Sequence, residues 1–507
     1  MTPSEINHPP IDYRIIVAAS VVLSIWLMLI DPVINWDAIL YLRTAEAYLQ
    51  EGLLTSFTLF DRPFLSILIG LLHRVSGLSL LHSGLLLSAV FYAILSTAFV
   101  SIVRLLGGDR RVQIIAAIII LSHPLLAQGR DSIMRDPPYW AFSLLAFRAL
   151  LLYLQRPVFK YQLHWFALIA LATLFRFEGL FFVLLAPLAV FFASQRPDRL
   201  RIAIRLLALP AGVIVCLAMA VLLIQTPLLP NAHLFSDITG YIEKLRTFPQ
   251  DFTAVSAATG DALLVFSAKE DAGIATLAGL AAILFIHLFR AVMWPYVLVL
   301  LWGQKNKLNK LIAHPSRSLL NSHLVIGLVY LGLFTLTNRL MLERYCHIFT
   351  IFVALYLPFI INAAWDPQRK PLLKYLAIFL LVGMSIDVAH NSNYKKMFIK
   401  DAAIWVATHT PADASVASNS NYIGYFSGRE FNWENPAFAN FTVDELSKRP
   451  ILWRHNDYLV ARVKPHEEQL WQAFLDKYSL LELKVFQGNT RGKISVVEIP
   501  THFKIDN

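Results

Sequence analysis

Four short charged stretches interrupt an otherwise apolar chain of 507 residues. The first is Asp37, followed by Asp61-Arg62-Pro63. The others are Arg130-Asp131 with Arg135-Asp136-Pro137, then Arg176-Phe177-Glu178-Gly179, and finally Arg339 with Glu343-Arg344-Tyr345. Carboxylates beside arginines suit displacement at a carbon that carries a phosphate. Phosphate leaves with little help from a general acid, so one carboxylate that accepts a proton from the attacking hydroxyl or amine is enough. The arginines hold the phosphate and offset the charge that grows on it. A simple inverting hydrolysis of a glycosidic bond needs two carboxylates; this set can work with one.

The elements that must position these groups are membrane spans. Hydrophobic residues make up 57% of the chain and charged ones 15%, with a mean hydropathy of +0.56. Soluble domains carry about a quarter charged residues, so the chain reads as an integral membrane protein. The net charge of +10 collects in alternate loops, a mark of topology rather than of nucleic-acid binding. Its two cysteines, Cys216 and Cys346, lie in or beside apolar runs and predict neither a disulfide framework nor a thiolate metal site. The polar stretch Met1 to Arg14 and the absence of a small-residue cleavage site predict an uncleaved first span rather than a signal peptide.

A helical span needs about 20 apolar residues. The chain predicts about eleven: 14–30, 80–103, 112–128, 138–154, 162–176, 179–194, 204–224, 274–301, 321–338, 345–364 and 373–389. The 162–194 hairpin has one long kinked helix as its alternative. Residues 63–76 are interrupted too early by His73 and Arg74, and read as a helix at the interface. With that choice the basic loops 104–111, 156–160, 195–205, 303–317 and 366–374 all face the cytoplasm; with 63–76 as a span they all invert. The N-terminus is then inside, and the four charged stretches face out.

The predicted organisation is a transmembrane domain over 1–389, with a first outer loop at 31–79 and another at 225–273, and a periplasmic α/β domain over 390–507. In the first loop Asn35 is a good N-cap type. Asp37, Tyr41, Thr44, Tyr48 and Glu51 share one helical face, and Ile39, Leu42, Ala45 and Leu49 the other. Such a helix is expected to lie along the membrane surface. In the tail, helices are expected at 397–409 and 465–477, and strands near 414–418, 457–463, 480–487 and 493–499.

The order Asp37 with Tyr41, Asp61-Arg62-Pro63-Phe64-Leu65, Arg135-Asp136, Arg176-Phe177-Glu178-Gly179 and Arg344-Tyr345 resembles the bacterial branch of glycosyltransferase family 39. That family comprises the protein O-mannosyltransferases and the aminoarabinose transferases of lipid A, which share the GT-C fold. The tail segments Ala402 to Pro411 and Tyr422 to Gly428 look like the start of the outer domain of its bacterial members. By position, the resemblance implies catalytic roles for Asp37 and Asp136. It implies substrate binding by Tyr41, Asp61, Arg62, Arg135, Arg176, Glu178, Arg344 and Tyr345, with Arg344 near the donor phosphate. The chain departs from the family at Asp61 and Phe64, where His-Pro-Pro or Arg-Pro-Pro is usual. It departs again at Ala38, where a second acid commonly follows the first.

The expected function is transfer of a sugar from a polyprenyl-phosphate donor to a lipid, glycan or protein acceptor at the outer face of a bacterial inner membrane, with inversion. Alternatives are a ligase or polymerase of polyprenyl-linked surface polysaccharide, and a lipid or sugar flippase. A flippase should carry inverted repeats and ionisable groups at mid-membrane. No cofactor is expected, and nothing in the residues indicates a divalent metal; His73, His82 and His123 are scattered on apolar faces. Competing structural roles are a helix cap for Asp37, an ion-pair cluster for Asp131, Arg135 and Asp136, a turn-fixing salt bridge for Arg176 and Glu178, and a snorkelling side chain for Arg344.

Overall fold

In a computed structural model, residues 9–31, 33–224, 236–390, 396–429 and 441–503 are described. Residues 225–235 of the expected second outer loop, and parts of the tail, lie outside them. Every apolar run predicted from the sequence is helical, but several are broken. The helices are α1 (Tyr13–Ile30), α2 (Trp36–Glu51), α3 (Leu53–Leu59), α4 (Phe64–Ser76), α5 (Leu80–Leu105), α6 (Arg110–Ser122), α7 (Pro124–Ala127), α8 (Asp136–Gln155), α9 (Phe159–Phe175) and α10 (Gly179–Ala193). After them come α11 (Arg199–Ile224), α12 (Ser236–Leu263), α13 (Ala272–Val292), α14 (Trp294–Lys305), α15 (His314–Asn338), α16 (Glu343–Ala354), α17 (Leu357–Asn362) and α18 (Pro371–Ala389).

The ends of these helices follow from local chemistry. Asp12, Ser79 and Asp109 cap α1, α5 and α6, each side chain accepting from a backbone N–H of the first turn. Pro137 sits in the first turn of α8, where its missing N–H costs nothing. Gly52 closes α2 with φ +97°, a conformation that L side chains rarely adopt.

Among the described residues six helices are long and apolar enough to cross a membrane unaided, and a seventh arises if the pair Glu343–Ala354 and Leu357–Trp365, bent by 44°, counts as one. The expected eleven is thus a larger number than length and composition alone support, and the shortfall has local causes. His123-Pro124 breaks the run after α6, and Met293, at φ 70° before Trp294-Pro295, separates α13 from α14. The 162–194 segment is two helices, not one kinked helix, and its second member has only 15 residues. Exposed apolar side chains on α1, α13 and α18, such as Leu29, Phe285 and Phe379, suit contact with lipid.

The tail contains α19 (Met397–His409), α20 (Asn421–Ser427), α21 (Val443–Lys448) and α22 (Glu468–Tyr478). Its strands β1 (Val416–Ser418), β2 (Tyr458–Val463), β3 (Glu482–Gln487) and β4 (Lys493–Glu498) form a sheet in the order β1-β2-β4-β3, with only the β1–β2 pair parallel. Side chains alternate across the sheet. Val460 and Val496 join α19 in a core continuous with the helix bundle, while Leu459, Ala461 and Val497 pack on Trp453, Trp471 and Phe474 on the other side.

The surface-helix expectation for α2 needs correction. Tyr41 and Thr44, assigned to its water face, are buried along with Ile39 and Leu42. Neighbours cover both sides, because α2 packs on α4 and α5 and also against α20 of the tail. Trp36 meets Tyr422 edge to face with ring centroids 5.4 Å apart. Asn35 precedes the helix as expected, but its side chain makes no cap. Instead it exchanges two hydrogen bonds with the Ile133 backbone, of 3.0 and 2.9 Å, which tie the start of α2 to the loop before α8.

Candidate functional site

Helix α2 carries Asp37 in its first turn, where a carboxylate suits the positive end of the helix dipole. Arg344 lies in the first turn of α16. Their side chains meet: Arg344 Nη1 donates to Asp37 Oδ2 at 2.9 Å. Both are more than a third exposed, so water reaches the pair. Arg344 also donates to the Tyr345 hydroxyl at 3.3 Å, and its guanidinium lies 5.2 Å from the Tyr345 ring centroid.

Arg176 approaches the same ring, at 5.0 Å. It closes α9 at the tip of the α9–α10 hairpin and is shared by two carboxylates, donating to Asp136 Oδ1 at 2.5 Å and, through Nε, to Glu178 Oε1 at 3.0 Å. Tyr330 of α15 donates to the same Glu178 oxygen at 2.9 Å. Burial opposes charge on Glu178, but the adjoining guanidinium and these hydrogen bonds prevail and hold its carboxyl down at about 2. The hairpin can turn back so tightly because residue 179 is glycine: a Cβ there would come within 3.1 Å of Thr173 Cα.

Arg135, next to Asp136, donates through Nε to the Tyr41 hydroxyl at 3.1 Å and lies over the Phe60 ring at 4.8 Å. Phe60 also contacts Tyr41, with ring centroids 5.6 Å apart, so the turn that holds Asp61 and Arg62 abuts α2. The Asp61 and Arg62 charges stand 3.8 Å from each other. Two guanidinium N–H groups, Nε of Arg344 and Nη1 of Arg135, are buried without an acceptor among the described residues. A buried donor left unpaired costs about 1–3 kcal/mol, so an anion that supplied acceptors there would be held.

The structure therefore joins most of the predicted residues in one run of contacts, with Asp61 and Arg62 paired in the adjoining turn. It goes from Asp37 to Arg344, across Tyr345 to Arg176, and on to Asp136 and Glu178, with Tyr41 and Arg135 alongside. Two charged groups of the same stretches serve elsewhere. Arg130 is buried and donates to Ser20 and Ser24 of α1 while stacking on Tyr92. Glu343 pairs with His287 and Arg290 of α13.

Two participants escaped the sequence reading, Tyr330 and Phe60. For Tyr330 the available signal was its depth, two turns inside the end of a span and too far in for an interface anchor. Phe60 gave no signal of its own. Among the described residues no three His, Cys, Asp or Glu side chains are grouped to hold a metal ion.

No protein-family model matches the chain, and no curated protein matches it. Solved structures do. The oligosaccharyltransferase of Archaeoglobus fulgidus in the apo form aligns with a TM-score of 0.53 at 12% identity, over 92% of this chain and 72% of that one. ArnT from Cupriavidus metallidurans bound to undecaprenyl phosphate aligns at 0.53 and 12% identity, over 97% of this chain and 99% of that one. The fold is of the GT-C type. A further structure of the archaeal enzyme, AglB in complex with an inhibitory peptide and a dolichol-phosphate, aligns at 0.50 and 14% identity, over 91% of this chain and 71% of that one. At such identities the likeness is one of fold, and the near-complete mutual coverage with ArnT extends it to the tail.

Proposed function

We propose that the chain is an inverting glycosyltransferase, similar to family 39, that moves a sugar from a polyprenyl-phosphate donor to a lipid, glycan or protein acceptor. It works at the outer face of a bacterial inner membrane, with about eleven spans, the N-terminus in the cytoplasm and residues 390–507 as a periplasmic domain. The observation that carries this reading is the water-accessible contact of Asp37 with Arg344 beside the buried Arg176 pairings. The solved structures named with undecaprenyl phosphate and dolichol-phosphate support the choice of donor class.

In this mechanism the donor phosphate takes the place of Asp37 on Arg344, and the open N–H of Arg135 adds a second contact. Asp37, released from its partner, accepts the proton of the acceptor nucleophile as that group attacks the anomeric carbon from the side opposite the phosphate. A single displacement of this kind inverts configuration. Asp136 and Glu178 hold Arg176, which keeps Tyr345 and hence Arg344 in position. The phosphate departs on its polyprenyl chain, stabilised by the guanidinium groups.

The test is transfer in vesicles that contain polyprenyl-phosphate sugars. Asp37→Asn should insert and fold as the parent chain does, yet lose transfer. Turnover by this variant at the parent rate overturns the proposal.

A further inference from the structure

A second feature lies lower in the bundle. Helices α1, α5 and α8 enclose a groove of about 510 Å³ whose walls include Tyr13, Val17, Val90, Ala98, Ser101 and Arg148. The volume falls in the range of sites that hold one ligand. Arg148 lies twelve positions beyond Asp136 in α8, about 18 Å along the helix at 1.5 Å per residue. The groove is thus separate from the cluster that contains Asp136. An arginine within a span is costly and marks a partner. Here none is present: among the described residues Arg148 forms no hydrogen bond or ion pair, and no acidic residue lines the groove. The Tyr13 hydroxyl on the same groove is buried without a partner as well.

We infer that this groove binds one anionic glycerophospholipid of the cytoplasmic leaflet. An acyl chain lies along the apolar walls, and the phosphate accepts from the Arg148 guanidinium and the Tyr13 hydroxyl. Charge complementarity selects the occupant, because the wall offers one cation and no anion. Position selects the leaflet. Tyr13 begins α1, and Ser101 lies one turn from the end of α5, where Arg104 opens a basic loop placed inside by the topology above. A phosphate held there is too far along α8 to serve Asp37, so this lipid is not the sugar carrier. The inference rests on the proposed orientation and is independent of the transfer chemistry.

The experiment uses the full-length chain purified in neutral detergent and native mass spectrometry with matched phosphatidylglycerol and phosphatidylethanolamine. The parent chain should retain phosphatidylglycerol over phosphatidylethanolamine by about fivefold, the effect of one basic contact at a membrane surface. Arg148→Met should remove the preference. Ala98→Phe, which fills the groove and leaves the cation, should lower retention of both lipids. Asp37→Asn should retain phosphatidylglycerol as the parent does, which separates this site from the transfer site. The assignment is overturned if the parent has no preference, if Arg148→Met or Ala98→Phe retains lipid as the parent does, or if undecaprenyl phosphate outcompetes phosphatidylglycerol at the groove.

Discussion

Asp37 and Arg344 are 307 residues apart in the chain and 2.9 Å apart in space. In the proposed mechanism each is the partner that the other loses when the donor arrives: its phosphate competes for the guanidinium, and the carboxylate it displaces is free to act as the base. For Asp37→Asn the turnover should fall by at least about a hundredfold, the lower range for loss of a positioned base. Stability should change by no more than about 1 kcal/mol, since the pair is well exposed. Initial rates and thermal unfolding in detergent separate the two effects.

Arg344 is expected to act on binding first. Arg344→Met should weaken the affinity for undecaprenyl phosphate by about ten- to a hundredfold, the value of a charge-assisted hydrogen bond of about 1.5–3 kcal/mol. Arg344→Lys should recover only part of it, because an ammonium lacks the fork that contacts two acceptors. Titration of the lipid against intrinsic tryptophan fluorescence measures both.

Arg176 is a structural keystone. Removing it leaves two buried carboxylates, Asp136 and Glu178, without their shared cation, and Arg176→Met should cost about 3–5 kcal/mol. The pH response should also reverse in part. In the parent chain the Glu178 carboxyl is depressed to about 2. Its contribution is therefore present above the unfolded value of about 4.3 and lost as pH falls toward 2. Without Arg176, burial, the largest influence on this group, is opposed only by the backbone and Tyr330 hydrogen bonds and should raise its carboxyl, so acidification should stabilise the variant. Unfolding midpoints at a series of pH values test the sign.

Asp131 behaves in the opposite sense. Burial pushes its carboxyl up to about 7, with Asp31 adding to the shift and Ser132 and Lys396 opposing it. A raised carboxyl favours the folded state only while protonated, so stability should decline as pH rises from about 4 toward 7 and then level off. Asp131→Asn should abolish this slope. The variant should gain on the parent at pH 8 and differ little from it at pH 4. An equal effect at both pH values would contradict the account.

Much of this architecture is legible in the sequence because its driving forces are local. Apolar runs such as 80–103 and 138–154 become helices α5 and α8 almost residue for residue. The alternation around Leu459, Val460 and Ala461 gives β2 its two buried faces. Charged side chains at the ends of separate spans point to one site because few other places tolerate them. What the sequence hides depends on neighbours distant in the chain. The burial of Tyr41 and Thr44 follows from how other segments cover α2, and no pattern within residues 36–51 reveals a lid of that kind. Arg130 has the same residue type and loop as Arg135, yet Ser20 and Ser24 divert it into a packing role. The breaks at His123 and Met293 stand just before prolines, Pro124 and Pro295, that a hydropathy window averages away.

The long separation between Asp37 and Arg344 has a consequence for biogenesis. A ribosome delivers the acid early and the guanidinium only after most of the bundle has emerged, so on the proposed mechanism a nascent chain lacks its reactive pair through nearly all of its insertion. A product cut short before α16 would contain the early helices and the first loop, but not the α20 that covers α2. It would occupy the bilayer without the partner that Asp37 meets in the full chain.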